Sequence, residues 1–334
     1  MRILVTGGLG FIGGNLIRHL LDGHKDYEIL NIDNLSTGSN MASLSDIQLD
    51  KRYRFTKGDI RDERLIKTLV RDVEAVVNAA AETHVDRSIT DPAAFYSANT
   101  IGALTILEAI RHANPHCRLL QVSTDEVYGD TAEGSFNESA PLRPSSPYSA
   151  SKAAADLAVL AHHRTYGLDT VVTRCTNNFG PYQFPEKLIP KTIVRAVLNL
   201  PIPIYGAGTN VRDWIRVQDH CSALEAVLLK GESGQVYNVS SKNEFTNLEV
   251  VTRILHIMNR PQTLVAHVED RPGHDIRYSL DSTRIRNELG WAPACGFEPA
   301  LKETVDWYLT NEDWWKPIAS NEVLSQAPWR NKAT

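Results

Sequence analysis

Between the short apolar run Ile3-Leu4-Val5-Thr6 and a helical pattern that opens at Phe11, three glycines (Gly7, Gly10 and Gly13) recur at a spacing of three. Glycines so placed let a strand turn tightly into a helix, and they let backbone N–H groups at the positive end of that helix approach an anion such as a pyrophosphate. Further apolar runs repeat the scheme. Ile29–Asp33, Arg54–Lys57, Ala75–Ala79, Leu119–Ser123 and Thr170–Arg174 read as buried strands, with helices starting near Phe11, Asp62 and Pro92 and another from Pro147 to about Gly167. This alternation predicts an α/β fold whose parallel sheet carries helices on both faces.

The texture changes after Cys175. Gly and Pro punctuate the chain, and helical patterns recur at Lys187–Asn199, Val217–Lys230, Asn247–Met258, Ser282–Leu289 and Phe297–Thr310. The expected division is a dinucleotide-binding domain over 1–175 with a return segment near 211–240, a smaller discontinuous α/β substrate domain over 176–315, and a tail at 316–334. A chain of 334 residues, 42% hydrophobic and 22% charged, buries enough core for this plan. The net charge of −5, with basic residues scattered, gives no footprint for nucleic acid. The apolar run at the N-terminus is too short for a signal peptide, and no stretch reads as long enough to span a bilayer. A cytoplasmic protein with no membrane partner is therefore expected. Cys117, Cys175, Cys221 and Cys295 lie far apart without a CxxC pair and read as reduced thiols, with no metal site.

Asp33 ends the second strand, twenty residues past Gly13. A carboxylate there accepts hydrogen bonds from ribose hydroxyls and repels a 2′-phosphate, which favours NAD over NADP. Asp59, after the third strand, is placed to face the adenine, or else is a solvated loop acid. Tyr148 and Lys152, at i and i+4, share a helix face. A free phenol ionises near pH ~10, and an ammonium beside it, with a cationic nicotinamide, favours the phenolate that removes a hydroxyl proton. At the end of the fifth strand Thr124 precedes two adjacent carboxylates, Asp125 and Glu126, at the edge of a parallel sheet where ligands bind.

Together the glycine turn, Asp33, Asn78-Ala79-Ala80-Ala81 and the Tyr148/Lys152 pair resemble the extended short-chain dehydrogenase/reductase superfamily. Within it, Ser123-Thr124-Asp125-Glu126-Val127-Tyr128-Gly129-Asp130, the run from Ala80 to Ile89, the run from Asn177 to Pro190, Arg212-Asp213-Trp214 and the run from Asp270 to Asp275 resemble the dTDP-glucose 4,6-dehydratase family, from Met1 to about Trp315. The resemblance implies a Rossmann-type, doubly wound NAD domain, a C-terminal nucleotide-sugar domain and a homodimer formed through helices of the NAD domain. It assigns cofactor contacts to Gly7, Gly10, Phe11, Ile12, Gly13, Asp33, Asp59, Ile60, Ala80, Ala81, Asn99, Tyr148 and Lys152, with Asn178 near the nicotinamide. Substrate contacts fall to Thr83, Thr124, Asn177, Lys187, Leu188, Arg212, Asn247, Arg271 and His274, with Pro203 and Tyr205 lining the base pocket.

The implied reaction is dehydration of dTDP-glucose. Tyr148, supported by Lys152, takes the O4 proton as the C4 hydride passes to NAD, and Thr124 hydrogen-bonds that oxygen. Glu126 removes the C5 proton, Asp125 protonates the departing C6 hydroxyl, and hydride returns to C6. A 4-epimerase or a UDP-glucuronate decarboxylase of the same superfamily eliminates no C6 hydroxyl and has no use for the Asp125/Glu126 pair. Dehydration of a UDP-, CDP- or GDP-linked sugar remains open, because the base pocket is poorly encoded in sequence. A dinucleotide sensor without activity is expected to have lost Tyr148 or Lys152. Three departures from the family pattern stand out: Asn34–Asn40 replaces a Leu-Thr-Tyr-Ala-Gly-Asn pattern, Thr83 replaces serine, and Ala98 stands where threonine is common.

Overall fold

The computed structural model describes residues 1–325; positions 326–334 of the expected tail lie outside the described residues. The first half runs β1 (Arg2–Thr6), α1 (Phe11–Gly23), β2 (Glu28–Asp33), β3 (Tyr53–Lys57), α2 (Glu63–Leu69), β4 (Ala75–Asn78), α3 (Val85–Thr90), α4 (Pro92–Phe95), α5 (Gly102–Ala113), β5 (Arg118–Thr124), α6 (Pro147–Tyr166) and β6 (Thr170–Cys175). The second half adds β7 (Asn177–Phe179), α7 (Leu188–Val197), β8 (Ile202–Tyr205), β9 (Val211–Arg216), α8 (Val217–Lys230), β10 (Val236–Val239), β11 (Glu244–Thr246), α9 (Asn247–Ile257), β12 (Val265–Val268), α10 (Thr283–Leu289), α11 (Phe297–Thr310) and α12 (Glu312–Trp315).

Seven strands form one parallel sheet in the order β10-β6-β5-β4-β1-β2-β3. Strand order reverses between β1 and β4, so the connections leave in opposite directions and open a crevice at the carboxyl edge. Side chains alternate between the two faces. Ile3, Val5, Val77, Leu120 and Val171 join a core covered by α1 and α8, while Leu4, Val76, Leu119 and Val172 join one with Ile66 of α2, Ile106 and Ile110 of α5 and Val159 of α6. Burial on both faces explains why these strands read as unbroken apolar runs. The chain leaves the sheet after β6, builds β7 to β9, and returns through α8 to place β10 beside β6. The remaining strands form two small sheets, β11-β9-β7 and β12-β8. They surround an aromatic-rich core that includes Phe179, Trp214, Phe297, Tyr308 and Trp315.

The helix that carries Tyr148 and Lys152 is delimited by local chemistry. Ser146 and Ser149 form a reciprocal cap, Pro147 occupies the first turn, and Gly167 ends the helix in the left-handed region at φ +69°. The helical run from Pro92 departs from expectation in two ways. It passes through a wide turn at Tyr96–Ile101 before α5. Contrary to the sequence reading, Pro92–Ala113 is also long and apolar enough, by length and composition, to cross a bilayer. Half of that stretch is buried, and Ala103, Ile106, Leu107 and Ile110 pack in the core beneath α2 and α6, which accounts for its apolar character.

Leu224 of α8 is fully buried against the sheet face that carries Ile3 and Val5. Leu224→Ala is expected to destabilise the protein by about 2–5 kcal/mol in denaturant unfolding. A loss under about 1 kcal/mol would mean that α8 does not seal that face.

Candidate active site

A cavity runs along the carboxyl edge of the sheet. It is lined by Gly7, Gly10, Phe11, Ile12 and Gly13 from the first turn, by Asp33, Asp59 and Ile60, and by Ala80 and Ala81 after β4. Gly7 has φ +67°, and a Cβ there would stand 2.7 Å from Ala80 Cα; at Gly13 it would stand 2.4 Å from the Gly7 carbonyl oxygen. Only bare backbone fits such a cradle; the N–H groups of Gly7, Gly8, Leu9 and Gly10 are bonded within the protein, and those of Phe11 and Ile12 in the first turn of α1 face a pyrophosphate. Asp33 accepts hydrogen bonds from Leu9 N (3.0 Å), Leu35 N (2.8 Å) and the Ser39 hydroxyl (2.7 Å), so the segment that departs from the family pattern folds over this carboxylate. Asp59 is partly exposed at this end of the cavity. It pairs with Arg61 at 2.7 Å and accepts from Asn34, and the guanidinium holds its carboxyl well below the usual range.

Asn99 is not among the residues that line this cavity. Its buried amide accepts from Glu82 N (2.8 Å) and donates to Glu82 O (3.0 Å) and the Ser151 hydroxyl (2.9 Å), so it fixes the wall rather than forming it.

At the other end of the cavity Thr124, Asp125, Glu126, Tyr148, Lys152 and Asn178 converge. Lys152 is buried and its Nζ donates to Val122 O at 2.6 Å. Burial pushes the Tyr148 phenol well above its ordinary value, and Glu126 adds to the rise while a hydrogen bond with Thr124 opposes it. The chain's own groups thus favour the phenol, and an acid-rich site of this kind suits a cationic ring such as oxidised nicotinamide. Asn178 donates to Thr176 O at 3.0 Å, and its buried Oδ1 has no partner, an acceptor fitted to a carboxamide N–H. Cys175 also lines the cavity, but burial pushes its thiol up to about 12, so it is no nucleophile at neutral pH.

The two carboxyl groups differ. The Thr124 hydroxyl donates to Asp125 Oδ1 at 3.1 Å and accepts from Glu126 N at 3.3 Å, which fixes the turn after β5. Asp125 Oδ2 is buried without a partner. Burial, then Glu126, raises Asp125 well above the carboxylate range. Glu126 is also raised by burial, but Arg271, Arg212 and Lys187 all oppose the rise. Asp125 is therefore the carboxyl that holds its proton more strongly, and Glu126, beside the cations, the one more readily ionised.

A second cavity meets the first at Thr83, Glu126, Asn177, Glu186 and Lys187, which line both. Leu188, Pro203, Tyr205, Arg212, Asn247, Arg271 and His274 complete it. Lys187 donates to Thr83 O at 2.8 Å. Arg212 donates to Val211 O (2.7 Å) and Asp275 O (3.0 Å), and its guanidinium lies 4.2 Å over the Tyr278 ring. Arg271 donates to Asp86 Oδ1 at 2.9 Å and the Tyr205 hydroxyl to Oδ2 at 3.0 Å, while His274 pairs with Asp270 at 2.6 Å. Two lysines (Lys187 and Lys191), two arginines and two histidines (His84 and His274) line this cavity, a set that suits a diphosphate. The sequence reading assigned no role to Asp86, Tyr278 or Lys191, which also line this cavity. Lys191 donates to Ser325 O at 3.2 Å, and burial brings it down to about 8. Its position one helical turn past Lys187 was the available signal.

Residues 4–304 match the family described as GDP-mannose 4,6 dehydratase. The chain is 47% identical over 333 residues to a dTDP-glucose 4,6-dehydratase from Streptomyces niveus, with 98% of each covered. It resembles the crystal structure of a dTDP-glucose 4,6-dehydratase from Streptomyces venezuelae with NAD and TYD bound (TM-score 0.93, 46% identity, 95% of this chain and 100% of that one). A similar likeness holds to the dTDP-glucose 4,6-dehydratase from Bacillus anthracis in complex with NAD (TM-score 0.89, 46% identity, 95% and 99% covered).

Because Asp125 is harder to ionise when folded, its contribution to stability is complete below the unfolded carboxyl pKa of about 3.9 and is lost as pH rises toward the folded value. Asp125→Asn escapes that loss. Its melting temperature relative to the unsubstituted protein is therefore expected to be more favourable at pH 8 than at pH 4.5 in calorimetry. A difference independent of pH would mean that Asp125 ionises freely in the fold.

Proposed function

We propose that this chain, which belongs to the dTDP-glucose 4,6-dehydratase family of extended short-chain dehydrogenases/reductases, removes water from dTDP-glucose to give dTDP-4-keto-6-deoxyglucose with tightly bound NAD. The observation that carries the assignment is the Asp125/Glu126 pair beside Thr124 and Tyr148 in the first cavity, with Glu126 also lining the second. The glycine cradle, Asp33 and the unpartnered Asn178 Oδ1 fit the cofactor, and NAD when bound supplies the hydride acceptor for C4 and the donor for C6.

The protein's groups do the proton work. Tyr148 removes the O4 proton, Lys152 binds the nicotinamide ribose and favours the phenolate, and Thr124 hydrogen-bonds the oxygen as it becomes a ketone. The ketone acidifies C5–H, and Glu126, whose ionisation the second-domain cations support, takes that proton. Asp125, kept protonated by burial, delivers its proton to the C6 hydroxyl and water leaves. Return of hydride to C6 and of a proton to C5 completes a redox-neutral cycle. Lys187, Arg212 and Arg271 hold the diphosphate, with the base against Leu188, Pro203 and Tyr205. An epimerase of the same fold needs only the hydroxyl and tyrosine, so two buried carboxyls in its site would raise the cost of folding without serving the chemistry.

A homodimer in the cytoplasm completes the proposal. Tyr96, Ile101 and Leu104 on the Pro92–Ala113 run and Leu157 on the neighbouring α6 are exposed, an apolar set suited to a second copy. Leu157→Glu is expected to convert a dimer to monomer in sedimentation velocity; an unchanged dimer would place the interface elsewhere.

The activity test follows loss of water from dTDP-glucose and, separately, UDP-glucose, by alkali-induced absorbance and mass spectrometry. The thymidine sugar is expected to be dehydrated and UDP-glucose to react poorly, and Glu126→Gln to lower turnover by about 10²–10⁴-fold. No water loss from either sugar would overturn the assignment.

A further inference from the structure

Asp156 lies one turn beyond Lys152 on α6, wholly buried, and takes no part in the chemistry above. Tyr148, Lys152 and Asp156 stand at i, i+4 and i+8, on one face of the helix. Burying an ammonium without a counter-charge is costly, and the Val122 carbonyl that accepts from Lys152 Nζ offsets only part of that cost. Two groups favour the charged form of Lys152, namely Asp156 on its own helix and Cys175 at the end of β6. The Cys175 thiol, pushed up to about 12, carries no charge at neutral pH, which leaves Asp156 as the counter-charge.

The carboxylate is itself held from the far side. Arg174 Nε on β6 donates to Asp156 Oδ2 at 2.9 Å, with both side chains almost inaccessible to water. A second Arg174 nitrogen donates to the Tyr128 hydroxyl at 2.8 Å, and that hydroxyl donates to Asn238 Oδ1 on β10 at 2.9 Å. Arg174 also lies 4.8 Å over the Tyr128 ring. Burial raises the Asp156 carboxyl, and Arg174, then Ser123 and Lys152, oppose that rise, while Oδ1 itself has no hydrogen-bond partner.

We propose that Asp156 is a positioning residue for the reaction, the counter-ion that keeps Lys152 an ammonium in the closed site while Arg174, Tyr128 and Asn238 fix the carboxylate in place. The inference rests on the reading of Tyr148 and Lys152 as the reacting pair. The competing role is purely structural, with Asp156 serving only to neutralise Arg174.

The test observes Lys152 directly. In protein labelled with ¹⁵N-lysine and loaded with NAD, the Lys152 Nζ resonance, assigned by its loss in Lys152→Met, is titrated with pH. Asp156→Asn is expected to lower the midpoint by about one unit or more. Asp156→Asn combined with Arg174→Met, which leaves no unpaired guanidinium beside Lys152 and is the variant to measure if the single substitution does not fold, is expected to lower it as well. The alkaline limb of kcat with dTDP-glucose should move down with the midpoint, with KM changed by less than about twofold. A midpoint in the double variant equal to that of the unsubstituted protein would overturn the inference and leave Asp156 as a partner of Arg174 alone. Failure of the dehydratase reading would appear separately, as absence of product from the unsubstituted enzyme, and the Lys152 titration would still decide the role of Asp156.

Discussion

Asp125 and Glu126 stand side by side at the end of β5 in surroundings that make each harder to ionise than in water. Two adjacent carboxyls shielded from solvent repel each other and lose hydration, so charge must reach them from elsewhere in the molecule. It comes unequally. Arg271, Arg212 and Lys187 all act on Glu126, whereas Arg212 is the cation that opposes the shift at Asp125. The side chains suited to a diphosphate thus also sort the two carboxyls into acid and base. The second half of the chain, which carries them on β9, before α7 and after β12, is part of the electrostatics of the main sheet's edge.

That edge is where the fold delivers its reactive groups. Gly7 follows β1, Asp33 ends β2, Ala80 follows β4, Thr124 ends β5 and Cys175 ends β6, all at the carboxyl ends of parallel strands. Helix α6 brings Tyr148 and Lys152 against the same edge, with Asp156 one turn further along. The reversal of strand order between β1 and β4 keeps helices from closing over it.

Much of this was legible in the sequence. Strands β1, β4, β5 and β6 were recognisable because both of their faces are buried, which demands unbroken apolar runs, and α6 because its cap, proline and terminal glycine mark both ends. The strands β7 to β12, three to six residues long and set among loops, carry too few positions for a period to show. The Pro92–Ala113 run reads as short of membrane length because Ser97, Asn99, Thr100 and Glu108 interrupt its apolar residues. Among the site residues, Asn99 is held by Glu82 and Ser151 behind the cavity lining, a depth that spacing along the chain does not encode. Asp86 looked like one charge in a polar segment, and only the arrival of Arg271 and Tyr205 from distant parts of the chain gives it a partner set. Protonation is a property of enclosure, so the division of labour between Asp125 and Glu126 emerges only once the cavity exists.

The return of the chain to place β10 beside β6 bears on synthesis. When residue 175 has left the ribosome, six strands of the sheet are present, but β6 is an edge with unpaired backbone, and α8, which covers one face, has not yet been made. A bare, apolar parallel edge is a template for association with another nascent chain. The half that carries the glycine turn therefore stays exposed to misassembly until Val236–Val239 emerges. The intervening residues, including β7 to β9, must be threaded through that interval without folding in a way that blocks the seventh strand.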